Sequence, residues 1–312
     1  MRRLRSDDIT KLAYIHSSRT ISLNGFHKVF YPDMTKQAAH HLLKYYVDNG
    51  LLFSTQFRAL MPMSWGLTKD GIIELLKARW LLSKNTHPVR INFREQEHHQ
   101  NVVDLRIALE SNQDFPIWEY TGKGGTFSNR VFFVSDFEMA KGISPYQKWE
   151  YLIETPHHEK DEYLFNWVKA SRKKSDLLQK NLQTEGDKRQ KTRTPDGFFW
   201  AVWDGQRRPF VLEYEHSPYS MARLTEVVSI LKKDFSSEVV TQVDSVDGKK
   251  EEKLVDLPPI KLFVTPNENR MEFFEKQLKA LLEGEKVKGQ WMIAHLEDVK
   301  KLSVKSAFKI VA

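Results

Sequence analysis

Ile9, Leu12, Ala13 and Ile15 recur at three- and four-residue spacing, which predicts an opening helix capped by Asp7 or Asp8 and interrupted at Ser17-Ser18. A short second helical segment around residues 25–31 ends at Pro32-Asp33. Thr35 then caps a third helix over residues 36–48, and Asn49-Gly50 stops it in the manner of a C-terminal cap. The period changes after that point. Residues 51–54 and 61–67 predict two short strands around Gln56-Phe57-Arg58, and Leu67-Thr68-Lys69-Asp70-Gly71 opens a helix over residues 72–82. The predicted order is helix, helix, helix, hairpin, helix.

A polar connector at 83–87 leads into a long helix over residues 94–110. Its apolar positions, 102, 103, 105, 107 and 109, keep no single stripe, so the helix is expected to pack on more than one side. Glu97, Asn101, Asp104 and Ala108 fall along one face. His98 and His99 project about 100° apart and cannot chelate as histidines at i and i+4 do, so no zinc site is expected there. Further on, Asp204-Gly205 is a hairpin turn between two runs of aromatic and aliphatic residues. If those two residues form the loop, cross-strand partners sum to 409 and Asp196 lies opposite Glu213. Residues 221–231 with Lys232-Lys233 read as a helix, 260–264 as a buried strand, 271–282 as a helix started by Asn267-Glu268, and 289–294 as a last strand. That succession predicts a mixed α/β sheet with helices on its faces. The polar stretch 244–253 is expected to be an exposed or disordered loop. Gly122-Lys123-Gly124-Gly125-Thr126 lacks phosphate-loop spacing and reads as a hairpin turn. Trp149, Trp167, Trp200, Trp203 and Trp291 read as core.

At 312 residues the chain has room for two domains of roughly 150 residues each, placed at 1–85 and 86–312. With 40% apolar and 29% charged residues the composition is globular, away from the signature of disorder. The chain has no cysteine, which excludes disulfides, thiolate metal sites and cysteine nucleophiles. No run approaches the roughly 18–20 apolar residues that span a bilayer. Arg2, Arg3 and Arg5 lead into Ser6-Asp7-Asp8, where a signal peptide would be apolar, so a cytoplasmic protein is expected, with no membrane partner.

Net charge is 48 − 41 = +7, unevenly spread: residues 1–90 hold 14 basic and 6 acidic side chains, leaving 34 and 35 for the rest. The basic character belongs to the N-terminal third. Such a module suits a phosphate backbone; an anionic membrane surface would attract it too, but no basic amphipathic helix with an exposed aromatic face stands out. The segment 171–193, with eight basic and three acidic residues, is a solvated helix and loop by default, or else a second phosphate-contacting surface.

The candidate chemistry lies on the Asp204-Gly205 hairpin. Alternation puts Glu213 and Glu215 on one strand face and Leu212 and Tyr214 on the other, so Asp196, Glu213 and Glu215 are expected to converge. Opposed carboxylates repel unless a proton or cation intervenes, and hard oxygen ligands of this kind suit Mg²⁺ or Mn²⁺. The competing reading is a set of strand-end carboxylates on a solvated edge.

The N-terminal order, with Val47-Asp48-Asn49-Gly50-Leu51-Leu52 and Gly66-Leu67-Thr68-Lys69-Asp70-Gly71, resembles bacterial winged-helix domains over about a quarter of the chain. The resemblance implies that the third helix enters the major groove, with Thr35, Lys36, Gln37, His40, His41 and Lys44 toward DNA, Arg58 at the wing, and Ala38, Ala39, Leu42, Leu43 and Tyr46 buried. Winged helices also serve as protein-docking modules, in which case His40 and His41 are only polar surface. Pro195-Asp196 and Glu213-Tyr214-Glu215 resemble the nuclease motif Pro-Asp...(Asp/Glu)-x-Lys, with Asp104 or Glu97 in place of the helical acid and Glu215 where Lys is usual. That resemblance implies an α/β restriction-endonuclease-like domain in which Asp196, Glu213 and Glu215 hold a divalent ion that activates water. The whole order, with Thr194-Pro195-Asp196-Gly197, Phe210-Val211-Leu212-Glu213-Tyr214-Glu215 and Leu262-Phe263-Val264-Thr265-Pro266, resembles the replication-relaxation family of plasmids and integrative elements. Membership implies a winged-helix binder of double-stranded DNA joined to a nuclease-like domain, used in replication or mobilisation alongside replication or relaxase proteins. Two other readings stand beside it: a Mg²⁺- or Mn²⁺-dependent endonuclease or nickase, and a homodimeric transcriptional regulator or interaction scaffold.

Overall fold

The computed structural model describes residues 4–56, 62–78, 95–111, 120–122, 125–127, 133–136, 195–203, 206–215, 221–233, 237–244, 250–257, 259–283, 290–301 and 304–312. Arg58, the connector at 83–87, the basic segment 171–193, Trp149 and Trp167 lie outside them, as do Lys123-Gly124 and Asp204-Gly205.

The N-terminal module runs α1 (Ser6–Ser17), β1 (Thr20–Ser22), α2 (Leu23–Phe30), α3 (Lys36–Asp48), β2 (Leu52–Thr55), β3 (Ser64–Leu67) and α4 (Lys69–Lys77). Local chemistry sets most of these boundaries. The side chains of Ser22, Thr35 and Thr68 accept hydrogen bonds from the backbone N–H of Gly25, Ala38 and Gly71, satisfying donors that a helix start leaves over. Gly50, at φ 73°, takes the left-handed conformation that ends α3. Asp8 does not cap α1. The N-cap is Arg5, whose backbone N–H donates to Asp8 Oδ2 at 2.9 Å from one turn away. The helix expected at 72–82 begins earlier, at Lys69, because Thr68 caps it. The strand expected at 61–67 begins at Ser64.

One strand escapes the predicted order: β1 lies between the first two helices and pairs with β3, giving an antiparallel sheet in the order β1-β3-β2. Leu12, Ile15, Phe26, Leu43, Tyr46, Leu51, Ile72 and Leu75 fill the core beneath it.

Gly71 explains why the phrases around Gly50 and Thr68 belong together. Thr68 N–H donates to the Leu51 carbonyl at 3.0 Å, and a Cβ on Gly71 would drive into that same carbonyl oxygen. Gly71→Ala is expected to cost about 1–3 kcal/mol, because the obstacle is backbone and cannot swing aside. A urea midpoint equal to wild type would refute this close approach.

The second half is built on a six-stranded sheet in the order β13-β12-β11-β8-β7-β6. Its strands are β6 (Val134–Ser135), β7 (Gly197–Trp203), β8 (Gln206–Tyr214), β11 (Ile260–Thr265), β12 (Trp291–His295) and β13 (Lys309–Ile310). The hairpin register runs from Trp203 opposite Gln206 to Gly197 opposite Leu212, as the two-residue turn predicts. β8, β11 and β12 are parallel neighbours. Helices α6 (Met221–Lys233) and α7 (Glu268–Leu282) make the crossovers that parallel strands require, and α7 packs on β11, β12 and α6. The sheet face bearing Phe210, Leu212, Tyr214, Leu262, Val264 and Met292 meets α5 (Gln96–Ser111), α8 (Leu296–Lys301) and the residues from α9 (Val304–Ala307) to Phe308. Trp203 and Trp291 are buried, as expected of core indoles.

Two outlying hairpins complete the described elements. β4 (Tyr120–Gly122) and β5 (Gly125–Phe127) flank Lys123-Gly124 and pair antiparallel, in keeping with a hairpin turn there. The loop expected over 244–253 is overturned in part: β9 (Ser237–Asp244) and β10 (Lys250–Leu257) form an antiparallel ladder with Lys250 opposite Asp244. Charged residues dominate the start of β10, yet backbone pairing of Lys250–Lys253 with Thr241–Asp244 makes it a strand.

Helix α5 belongs to both cores. Val102, Leu105, Ala108 and Leu109 pack with the large sheet, whereas Val103 and Ile107 pack with the N-terminal module. That division accounts for the missing single stripe. Between the two cores lies Arg106, fully buried, whose Nε donates to Glu110 Oε1 at 3.0 Å and whose Nη1 donates to Ser17 Oγ at 2.8 Å and Ser18 Oγ at 3.0 Å. Its guanidinium carbon lies 4.1 Å from the Tyr14 ring centroid and 5.2 Å from that of Phe133, one ring from each half. The Tyr14 hydroxyl donates to Glu110, and burial followed by the Glu110 charge pushes its pKa up.

Candidate functional site

At the open end of the β7–β8 hairpin, Asp196 sits one residue before β7 and would face Glu213 if the register continued one step. Its carboxylate is already engaged. Oδ2 accepts the backbone N–H of Tyr214 at 2.7 Å, and Oδ1 lies 2.9 Å from His98 Nε2 on α5. Asp136, just past β6, donates its backbone N–H to the Asp196 carbonyl at 3.3 Å and pairs through its carboxylate with Arg19 Nη2 at 2.7 Å. Arg19 comes from the α1–β1 turn, where it holds a left-handed φ of 55°. The N-terminal module thus places a guanidinium beside the acidic end of the hairpin.

His98 is the residue that sequence reasoning undervalued. It extends the stripe of Val102, Leu105 and Leu109 that faces the sheet, and its ring lies edge-on to Tyr214 at 5.4 Å. Burial opposes its charge, but the bond to Asp196 and the charges of Asp196, Asp136 and Glu215 outweigh that and raise its pKa. His99 extends the other stripe, with Val103 and Ile107, into the N-terminal module. Burial, helped by the Arg19 charge, pushes its pKa down to about 3. The two imidazoles go to different cores, consistent with their angular separation on the helix.

Glu213 and Glu215 are each only 4% exposed, so the solvated-edge reading does not describe them. Alternation turns Glu213 away from α5 and Tyr214 toward it. Of the helical acids, Glu97 is exposed, whereas burial raises the pKa of Asp104 against a 3.0 Å hydrogen bond from Gln100. Burial raises the Tyr214 pKa as well, followed by the charges of Glu97, Asp104 and Glu215. Lys261, opposite Val211 on the neighbouring strand, is buried with its ammonium 5.5 Å from the Trp291 ring, and burial lowers its pKa to about 8.

Among the described residues, no group of three or more His, Asp and Glu side chains is arranged to hold a metal ion. The Asp196 carboxylate is directed to His98 on α5, whereas Glu213 is turned away from that helix. The donors as placed therefore do not form the three-acid cage that Mg²⁺ or Mn²⁺ would need.

The second candidate surface is α3. Thr35, Lys36, Gln37, His40, His41 and Lys44 are all exposed, while Ala39, Leu43 and Tyr46 are buried and Ala38 and Leu42 half-buried. The His40 ring meets Trp65 of β3 edge-on at 6.3 Å and His41 at 6.4 Å. Among the described residues no helix is long and apolar enough to cross a membrane.

No family model, curated protein or solved structure matches the chain.

Proposed function

We propose that the protein binds duplex DNA by laying the exposed face of α3 in the major groove. The observation that carries this reading is the sorting of α3. Its buried side closes the core of a basic module, and its solvent side offers two lysines, two imidazoles and an amide over residues 36–44, with one exposed carboxylate, Asp48, at the last residue of the helix. The succession of three helices and a strand pair, with α3 just before the hairpin, supports a winged-helix arrangement. A role in plasmid or mobile-element replication or mobilisation rests on the resemblance of the Pro195-Asp196, Glu213-Tyr214-Glu215 and Val264-Thr265-Pro266 segments to the replication-relaxation family. A metal-dependent endonuclease stands second, on the resemblance of Pro195-Asp196 and Glu213-Tyr214-Glu215 to the nuclease motif.

The deciding experiment titrates labelled duplex and supercoiled plasmid at several salt concentrations with Mg²⁺, Mn²⁺ or EDTA. Wild type should bind in a salt-sensitive manner, and Lys36→Ala with Lys44→Ala should lower the slope of log K against log salt by roughly 2, one for each phosphate no longer neutralised. Binding that ignores salt, or that survives both substitutions unchanged, would point to a docking module instead. Metal-dependent nicks that disappear in Glu213→Ala would promote the nuclease.

A further inference from the structure

Resting on the duplex-DNA reading, we infer that Gln37 reads an adenine in the major groove and gives the protein a base preference. Gln37, His40, His41 and Lys44 occupy helix positions i, i+3, i+4 and i+7, so they form one stripe on the side of α3 opposite Ala39, Leu43 and Tyr46. The stripe carries no carboxylate over its first three turns; Asp48, which continues it at the last residue of α3, lies about 16 Å along the helix from Gln37.

Within this stripe the members differ in how much bonding capacity is already used. The His40 ring is held against Trp65 and His41. Lys36 and Lys44 are long, flexible point charges suited to phosphate oxygens, which fix register but carry no sequence information. Gln37 is exposed, lies in the first turn, and its side-chain amide makes no hydrogen bond among the described residues.

Its amide sets one donor beside one acceptor on a planar group. Adenine presents the complementary pair in the major groove, the N7 acceptor beside the N6 donor, and both bonds form at once. Guanine presents two acceptors there and would leave the amide oxygen facing one of them. The first turn of a major-groove helix is also where base edges come within reach of a side chain of this length.

The test selects binding sites from a random duplex pool with wild type, Gln37→Ala and Gln37→Arg, then titrates the selected duplex and a copy with one A·T pair changed to G·C. Gln37 is exposed, so both variants should retain the wild-type circular dichroism. Wild type should enrich adenine at one fixed position and lose about tenfold or more in affinity on the base change. Gln37→Ala should bind both duplexes within about twofold, and Gln37→Arg should shift that position toward guanine. If wild type binds in a salt-sensitive manner but without base preference, or if Gln37→Ala keeps the same preference, the inference fails while the DNA reading stands. If no duplex is bound in a salt-sensitive manner, both fail.

Discussion

Arg106→Ala is expected to lower the unfolding free energy by about 3–5 kcal/mol, the usual consequence of removing one partner from a buried ion pair. The alanine would leave the Glu110 carboxylate buried without its guanidinium, strip Ser17 Oγ and Ser18 Oγ of a charged donor, and empty the space between the Tyr14 and Phe133 rings. The loss should appear in urea unfolding followed by tryptophan fluorescence and by circular dichroism, with both signals shifted together. Arg106→Met combined with Glu110→Leu should recover much of it, since no uncompensated charge then remains. An unchanged midpoint in the single variant would mean that water reaches the site and that the two halves are not joined there.

Acid should destabilise the protein through His99, and the sign follows from its burial. The imidazole titrates at about 3 when folded and near 6.5 when the chain is unfolded. Below pH 6.5 the unfolded state therefore binds the extra proton, and stability falls as pH falls, by up to about 1.4 kcal/mol per pH unit until the folded value is approached. His98 has the opposite sign. Its raised folded pKa contributes stability that is present below the unfolded value and lost as pH rises through the folded one. His99→Leu isolates the first effect. Between pH 6.5 and about pH 4.5 wild type should lose roughly 2 kcal/mol more than the variant. Parallel stability curves for the two proteins would show that His99 is hydrated or charged in the folded state.

The parts of the fold legible in the sequence are those that local chemistry decides. Thr35 and Asn49-Gly50 bracket α3 because a cap and a left-handed stop act over one helical turn. The pairing of Trp203 with Gln206 follows from a two-residue turn, which leaves one register available. What could not be read depends on distant partners. The three residues of β1 are too few for any period and become a strand only by pairing with β3. β10 opens on Lys250-Glu251-Glu252-Lys253, which looks solvated until β9 supplies its ladder. At the candidate site the acids at the open end of the β7–β8 hairpin are visible as a motif, but the bond between His98 and Asp196 spans 98 residues. The signal that would have found it was the continuation of the Val102, Leu105 and Leu109 stripe one turn back to position 98, and the matching continuation of the second stripe to His99.

Because α5 contributes Val103 and Ile107 to one core and Val102, Leu105 and Leu109 to the other, the boundary at residue 85 is not a clean seam. The N-terminal half is not a detachable cassette. Grafted alone onto another protein, it would carry an open wound of apolar side chains where α5 belongs. The same sharing ties the heredity of the two halves together: a sequence change on either flank of α5 must be tolerated by both cores, so recombination that swaps one half for a foreign one is penalised even when every surface residue is compatible.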